Sequence, residues 1–134
     1  MYRILENKLA TNGIGQFTYD YLSEGNHQTN ESTVDSWPVL DARDDLCDND
    51  SNSLEVYEKK IDLAWDLIQK YGRVVICRAA GISRSNAIAL GVLVKYFHMD
   101  FHDAWELIEN RVPISNIHPG HISQLKKLFN TTPQ

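Results

Sequence analysis

The spacing of apolar residues changes several times along this chain, and each change predicts an element. Residues 2–10 (YRILENKLA) read as a short N-terminal strand or hairpin. Residues 23–36 (SEGNHQTNESTVDS) are polar and rich in chain breakers, which predicts a surface loop. The compact apolar run at 37–42 (WPVLDA) suits a buried strand, and RDDLCDNDSNS after it is an acidic loop dense in turn formers. From Leu54 the period lengthens. Leu54, Tyr57, Ile61, Ala64, Trp65 and Ile68 recur at helical spacing with charges between them, Ser53 stands in the N-cap position, and Gly72 ends the segment. Residues 73–77 (RVVIC) form a β-branched run without alternation, the pattern of a strand covered on both faces. Residues 85–97 (SNAIALGVLVKYF) are nearly all apolar and predict a buried helix. Asp100 and Asp103 resemble the N-cap and first-turn acid of a helix running through Asn110. Pro119 opens a last helix with Ile122, Leu125, Leu128 and Phe129 on one face. Strand, helix, strand and three further helices predict an α/β layer protein.

Composition narrows the function classes. With 134 residues, 43% apolar and 23% charged, the chain is expected to form one domain over 1–134 with its own core. A net charge of −5 argues against nucleic-acid binding, which calls for a basic face. No window approaches about 18 apolar residues, and the first ten lack the apolar centre of a signal peptide, so no membrane partner is expected. Two cysteines, Cys47 and Cys77, make no disulfide framework, which points to a reducing cytoplasmic setting. Cys47 sits among acids and lacks the positive neighbours that would activate a thiol. His98, His102, His118 and His121 are not joined by a cysteine or carboxylate that would complete a metal site, so neither metal nor other cofactor is expected. Trp65 and Trp105 fall on helical apolar faces and are read as core.

The chemistry concentrates in VVICRAAGISRS, residues 74–85. A buried strand, a loop of small residues and a buried helix beginning near Ser83–Ser85 together make an anion site. Backbone amides of Ala79, Ala80, Gly81, Ile82, Ser83 and Arg84 can turn inward together, and Ser85 continues the segment into the helix. Gly81 lets the backbone curl where a Cβ would obstruct it. Arg84, at the end of the arc, can give bidentate hydrogen bonds to phosphate oxygens. The bland alternative is an ordinary strand-to-helix turn with a surface arginine.

This segment resembles the signature of the protein tyrosine phosphatase superfamily, dual-specificity branch, roughly V-x-V-H-C-x-A-G-x-S-R-S. The resemblance extends over about residues 48–129, through LEVYEKKIDLAWDLI before the strand and through NAIALGVLVKYFHMDFHDAWELIENRVPI and HPGHISQLKKLF after it. It implies an α/β fold with a central, mostly parallel sheet flanked by helices. The part of the chain before it is shorter than the family leads one to expect. It also implies a phosphorylated protein or other phosphoryl ligand as partner, with phosphate or sulfate able to occupy the loop.

The match breaks at the nucleophile. Aligned without a gap, Cys77 takes the family's histidine position and Arg78 takes that of the nucleophilic cysteine, while Ala80, Gly81, Ser83, Arg84 and Ser85 keep their places. The other register keeps Cys77 as nucleophile and makes the cysteine-to-arginine interval one residue too long. Geometry favours the ungapped register: the nucleophile must lie at the centre of the amide arc, in line with the leaving oxygen, where those amides lower the thiol pKa. A protonated guanidinium cannot replace it. The family also needs an aspartate to protonate the leaving oxygen. Asp48 matches best, with Asp50 and Asp45 as alternatives, although DDLCDND is also what a solvated turn looks like. Three functions follow in order of preference. The first is a pseudophosphatase that binds a phosphoryl group. The second is an active phosphatase working through a cysteinyl-phosphate on Cys77. The third is an interaction scaffold whose pocket Arg78 plugs by pairing with Asp48, Asp50 or Asp45.

Overall fold

A computed structural model of the chain describes residues 2–12, 33–34, 37–41, 52–77, 83–112 and 117–129. The N-terminal segment forms the anticipated hairpin. β1 (Tyr2–Leu5) turns with the Lys8 N–H donating to the Leu5 carbonyl at 2.9 Å and returns antiparallel as β2 (Leu9–Asn12). β4 (Trp37–Asp41) is the strand expected over 37–42. It pairs antiparallel with β3 (Thr33–Val34), a two-residue edge strand inside the stretch read as loop. Thr33 and Val34 are β-branched, and a paired neighbour lets them join the sheet despite the breakers before them.

β5 (Val74–Cys77) lies at the centre, parallel to both β2 and β4, in a sheet of order β1-β2-β5-β4-β3. The sheet is therefore mixed, parallel in its middle and antiparallel at both edges. The parallel step from β4 to β5 requires a crossover, supplied by α1 (Leu54–Tyr71). Side chains alternate across the sheet. Ile4, Leu9, Leu40, Val74 and Ile76 join the core that the helices share, while Ala10, Trp37, Val39 and Val75 form a second cluster on the opposite face. Trp37 in that second cluster is flanked by the guanidinium groups of Arg3 and Arg73, 5.5 and 4.8 Å from the ring centre.

The helix ends follow local chemistry. Ser53 caps α1 by accepting the Glu55 N–H at 3.2 Å, and Gly72 closes it in the left-handed conformation (φ 86), its N–H on the Ile68 carbonyl at 2.7 Å. α2 (Ser83–Lys95) starts and ends two residues before the predicted 85–97. Its stop comes from His98, which takes φ 58 while the Met99 N–H reaches back to the Leu93 carbonyl at 3.1 Å. Residues Ser85 through Leu93 of α2 are buried without interruption, so this helix is enclosed by its neighbours. α3 (Phe101–Arg111) begins at the expected Asp100 cap, whose carboxylate accepts from the His102 and Asp103 N–H groups. α4 (Pro119–Leu128) is capped by His118.

The two helical tryptophans pack against the core at its border and are half-buried, so their reading as core residues holds in part. Trp65 lies flat on Tyr96, centroids 4.7 Å apart, and meets Phe97 edge-on at 5.6 Å. Trp105 meets Phe101 at 6.4 Å. A nearly planar indole–phenol stack satisfies the apolar faces of Trp65 and Tyr96 without enclosing either ring. No helix among the described residues is long and apolar enough to cross a membrane.

Candidate phosphoryl-binding site

Ligands in open α/β sheets bind outside the carboxyl ends of the parallel strands. Here β2, β4 and β5 run parallel, and β5 ends at Cys77, whose backbone stays in register with Asn12 on one side and Asp41 on the other. Next in the sequence come residues 78–82, and at Ser83 α2 begins. Arg78, Ala79, Ala80, Gly81 and Ile82 lie outside the described residues, as do the candidate acids Asp45, Asp48 and Asp50.

The remaining predicted residues, Ser83, Arg84 and Ser85, form the first turn of α2 and are not part of a free loop. Ser85 and the following Asn86 are fully buried, which anchors this helix end, while Arg84 is half-buried. The first turn holds no acid. The partial positive charge of its N–H groups therefore meets no carboxylate on the same turn, and Arg84 adds a permanent cation. That combination of donors and charge suits an oxyanion.

α4 braces this end of α2. The His118 backbone N–H donates to Ser83 Oγ at 2.8 Å, and its own Nδ1 accepts the Gly120 N–H at 2.9 Å. One turn on, the buried His121 joins its Nδ1 to the Tyr57 hydroxyl at 2.6 Å, and the Tyr57 oxygen accepts from Asn52 Nδ2 at 3.1 Å. Sequence reasoning set both histidines aside because no cysteine or carboxylate completes a metal site with them. One cue was legible: a residue just before a proline at the start of a helix occupies the N-cap, even when it is a histidine. The Tyr57–His121 bond joins residues 64 apart and had no local signal.

Among the described residues, ionisations are perturbed at Asp62, Lys95 and Tyr96. Asp62, Lys95 and Tyr96 form a half-exposed cluster at the far end of α2 from Ser83, about 18 Å along the helix axis. A groove of about 480 Å³ on the α3 surface is lined, among the described residues, by His102, Trp105, Glu106, Glu109 and Asn110, all from one helix. Its carboxylates make it unsuited to an anion. Among the described residues, no group of three or more His, Cys, Asp or Glu is placed to hold a metal ion.

Comparison with known proteins agrees with this architecture. The family profile "Dual specificity phosphatase, catalytic domain" matches residues 7–131. The human dual specificity protein phosphatase 21 is 34% identical over 97 residues, covering 69% of this chain and 48% of that protein. A probable rhodanese domain-containing dual specificity protein phosphatase of Dictyostelium discoideum is 36% identical over 76 residues, 57% of this chain and 16% of the relative. The chain thus spans half or less of the curated relatives it matches. Among solved structures, human DUSP28 superposes with a TM-score of 0.71 at 18% identity, covering 98% of this chain and 96% of that one. The human tyrosine phosphatase-like serine/threonine/tyrosine-interacting protein gives 0.60 at 20% identity over 92% and 77% of the two chains. At these identities the structural matches speak for the fold alone, and the family assignment rests on the profile. With β5 ending at the carboxyl end of the parallel strands, Arg84 in the first turn of α2, and a profile match over nearly the whole length, the chain belongs to the dual-specificity phosphatase family.

Proposed function

We propose that this phosphatase-like domain retains the phosphoryl-binding arc of its family without the nucleophile, and so holds a phosphorylated protein without cleaving it. The observation that supports this reading is the backbone pairing of Cys77 with both Asn12 and Asp41. A nucleophilic thiolate must stand at the centre of the arc, stabilised by amides pointing at it and in line with the leaving oxygen. A residue whose backbone still belongs to the central strand stops one step short of that point. In the ungapped register Arg78 follows in the nucleophile's place, and a guanidinium that stays protonated adds charge for binding and no route to a covalent intermediate. Together with Arg84 it makes a doubly basic pocket suited to a phosphoryl dianion. Asp48, with Asp50 or Asp45 as alternative, then has no leaving group to protonate.

The test pairs binding with turnover. A phosphotyrosine peptide is titrated calorimetrically into the wild type and Arg84→Ala, and p-nitrophenyl phosphate hydrolysis is followed for the wild type, Cys77→Ser and Arg78→Cys. The expected result is no wild-type turnover and a loss of peptide affinity of about ten- to a hundredfold in Arg84→Ala, the worth of a charged hydrogen-bonding partner. Turnover that Cys77→Ser abolishes would instead establish an active phosphatase using Cys77. Peptide binding that ignores Arg84→Ala would take the pocket out of the function. Absence of peptide binding, restored by Arg78→Ala, would identify Arg78 as a plug.

A further inference from the structure

Two polar connections leave the first turn of α4 in different directions. One runs from the His118 backbone N–H to Ser83 Oγ, 2.8 Å away and 35 residues earlier, at the start of α2. The other runs from His121 through the Tyr57 hydroxyl to Asn52, with successive separations of 2.6 and 3.1 Å. Asn52 directly precedes the Ser53 cap, where the acidic stretch enters α1. The two imidazole rings lie 6.1 Å apart at an interplanar angle of 71°.

Packing alone does not call for these groups. Tyr57 and His121 are fully buried, and a phenyl ring at each position would fill space without bringing polar atoms that must be satisfied. What the hydroxyl and imidazole add is direction. The Asn52 amide donates to the Tyr57 oxygen; a Tyr57 proton given in turn to His121 Nδ1 would complete a directed chain and require the His121 proton on Nε2. His118 likewise uses Nδ1 as an acceptor, from the Gly120 N–H. In that directed chain both rings act through one defined tautomer. Linked hydrogen bonds in a water-poor interior polarise one another and hold a narrower geometry than apolar contact does.

We infer that His118 and His121 are positioning residues, and that the first turn of α4 is a common support holding the start of α2 and the entry to α1 in one register. The ligand-facing half of this inference rests on the phosphoryl-binding reading; the mechanical half does not. A displacement of Asn52 is carried through Tyr57 and His121 into the turn that holds Ser83, so the two ends of the site respond together.

The deciding experiment is hydrogen exchange on the intact chain, wild type against Tyr57→Phe, which removes one oxygen and keeps the ring. Loss of the link is expected to speed exchange about tenfold both around Asn52 and in the Ser83–Asn86 turn, the worth of one buried hydrogen bond, with the β1–β2 hairpin unchanged. His121→Phe should reproduce this pattern and His121→Gln should partly reverse it; if the histidine variants fail to fold, Tyr57→Phe decides alone. Faster exchange confined to the surroundings of Asn52, or spread evenly over the chain, would overturn the inference by showing a pair that only packs. Nitrogen-correlated spectra of the ring should show His121 as the Nε2–H tautomer in the wild type, with the Nδ1 resonance shifted in Tyr57→Phe; a ring protonated on Nδ1 would contradict the proposed chain. A phosphotyrosine peptide then tests the ligand-facing half, with affinity expected to fall up to about tenfold in Tyr57→Phe. A wild type that does not bind the peptide removes the phosphoryl-binding reading and leaves the exchange result to decide the support. Unchanged affinity in a variant with the altered exchange pattern would confine the support to mechanics and refute its role in binding.

Discussion

Asp62 on α1 is held by two neighbours from the end of α2, Lys95 Nζ at 2.7 Å and the Tyr96 hydroxyl at 2.5 Å. Partial desolvation pushes its carboxyl upward, but the hydrogen bonds from Lys95 and Tyr96 and the Lys95 charge together outweigh it, so its pKa lies below the ordinary 3.8. The hydrogen bond to Asp62 raises Lys95 against a smaller opposing effect of burial, and Tyr96 is raised by desolvation and by the same carboxylate. A depressed carboxyl contributes stability above its unfolded value and loses it as pH falls through the folded value. Urea unfolding of Asp62→Asn should therefore differ from wild type at pH 7 and converge on it as the pH falls below the ordinary carboxylate value and the folded carboxyl is protonated. Because the Asp62 side chain is 44% exposed, solvent screening limits the difference at pH 7 to about 0.2–1 kcal/mol. A gap that persists at pH 2 would show that packing, and not charge, is lost. The sequence marked Asp62 as one of the charges between apolar helix positions. Its partners, 33 and 34 residues away, had no local trace.

Between elements, the closest constraint is the crossing of α1 and α2 at Gly91. A Cβ built there would lie 2.6 Å from Ile61 Cγ1 and closer still to Cδ1, and Ile61 is fully buried. Gly91→Ala gains up to about 1 kcal/mol in helix propensity and meets overpacking of about 1–3 kcal/mol, so a net loss is expected. Ile61→Val, which removes Cδ1, should recover part of that loss in the double variant, measured as a non-additive chemical-denaturation cycle. A more stable single variant would mean that the helices part freely. Periodicity predicted the four helices among the described residues, and the caps at Ser53, Asp100 and the Gly72 stop were readable because they depend on one or two adjacent side chains. The bond from the His118 N–H to Ser83 Oγ at the start of α2 joins residues 35 apart and had no such local cue.

At the scale of the molecule, β5 carries both cores: Val74 and Ile76 face the helices, Val75 faces Trp37 and Val39, and all three are fully buried. If the two faces fold as one unit, Ile76→Ala should cost roughly 2–5 kcal/mol and Val75→Ala roughly 1–3 kcal/mol. Both should still melt in one transition that coincides by circular dichroism and tryptophan fluorescence. Two separated transitions in either variant would show that the faces are independently cooperative. The unalternating β-branched run at 74–76 announced a strand enclosed on both sides, and the segment VVICRAAGISRS announced the family. Those features are written locally, in residue volume, branching and charge, and so the sequence by itself determined the layer architecture, the central strand and the family. Only the tertiary structure decided the antiparallel edges of the sheet, the half-burial of Trp65 and Trp105, and the support that His118 and His121 give to Ser83 and Asn52. Each of these depends on contacts between segments far apart in the chain, whose satisfaction no local pattern of residues specifies.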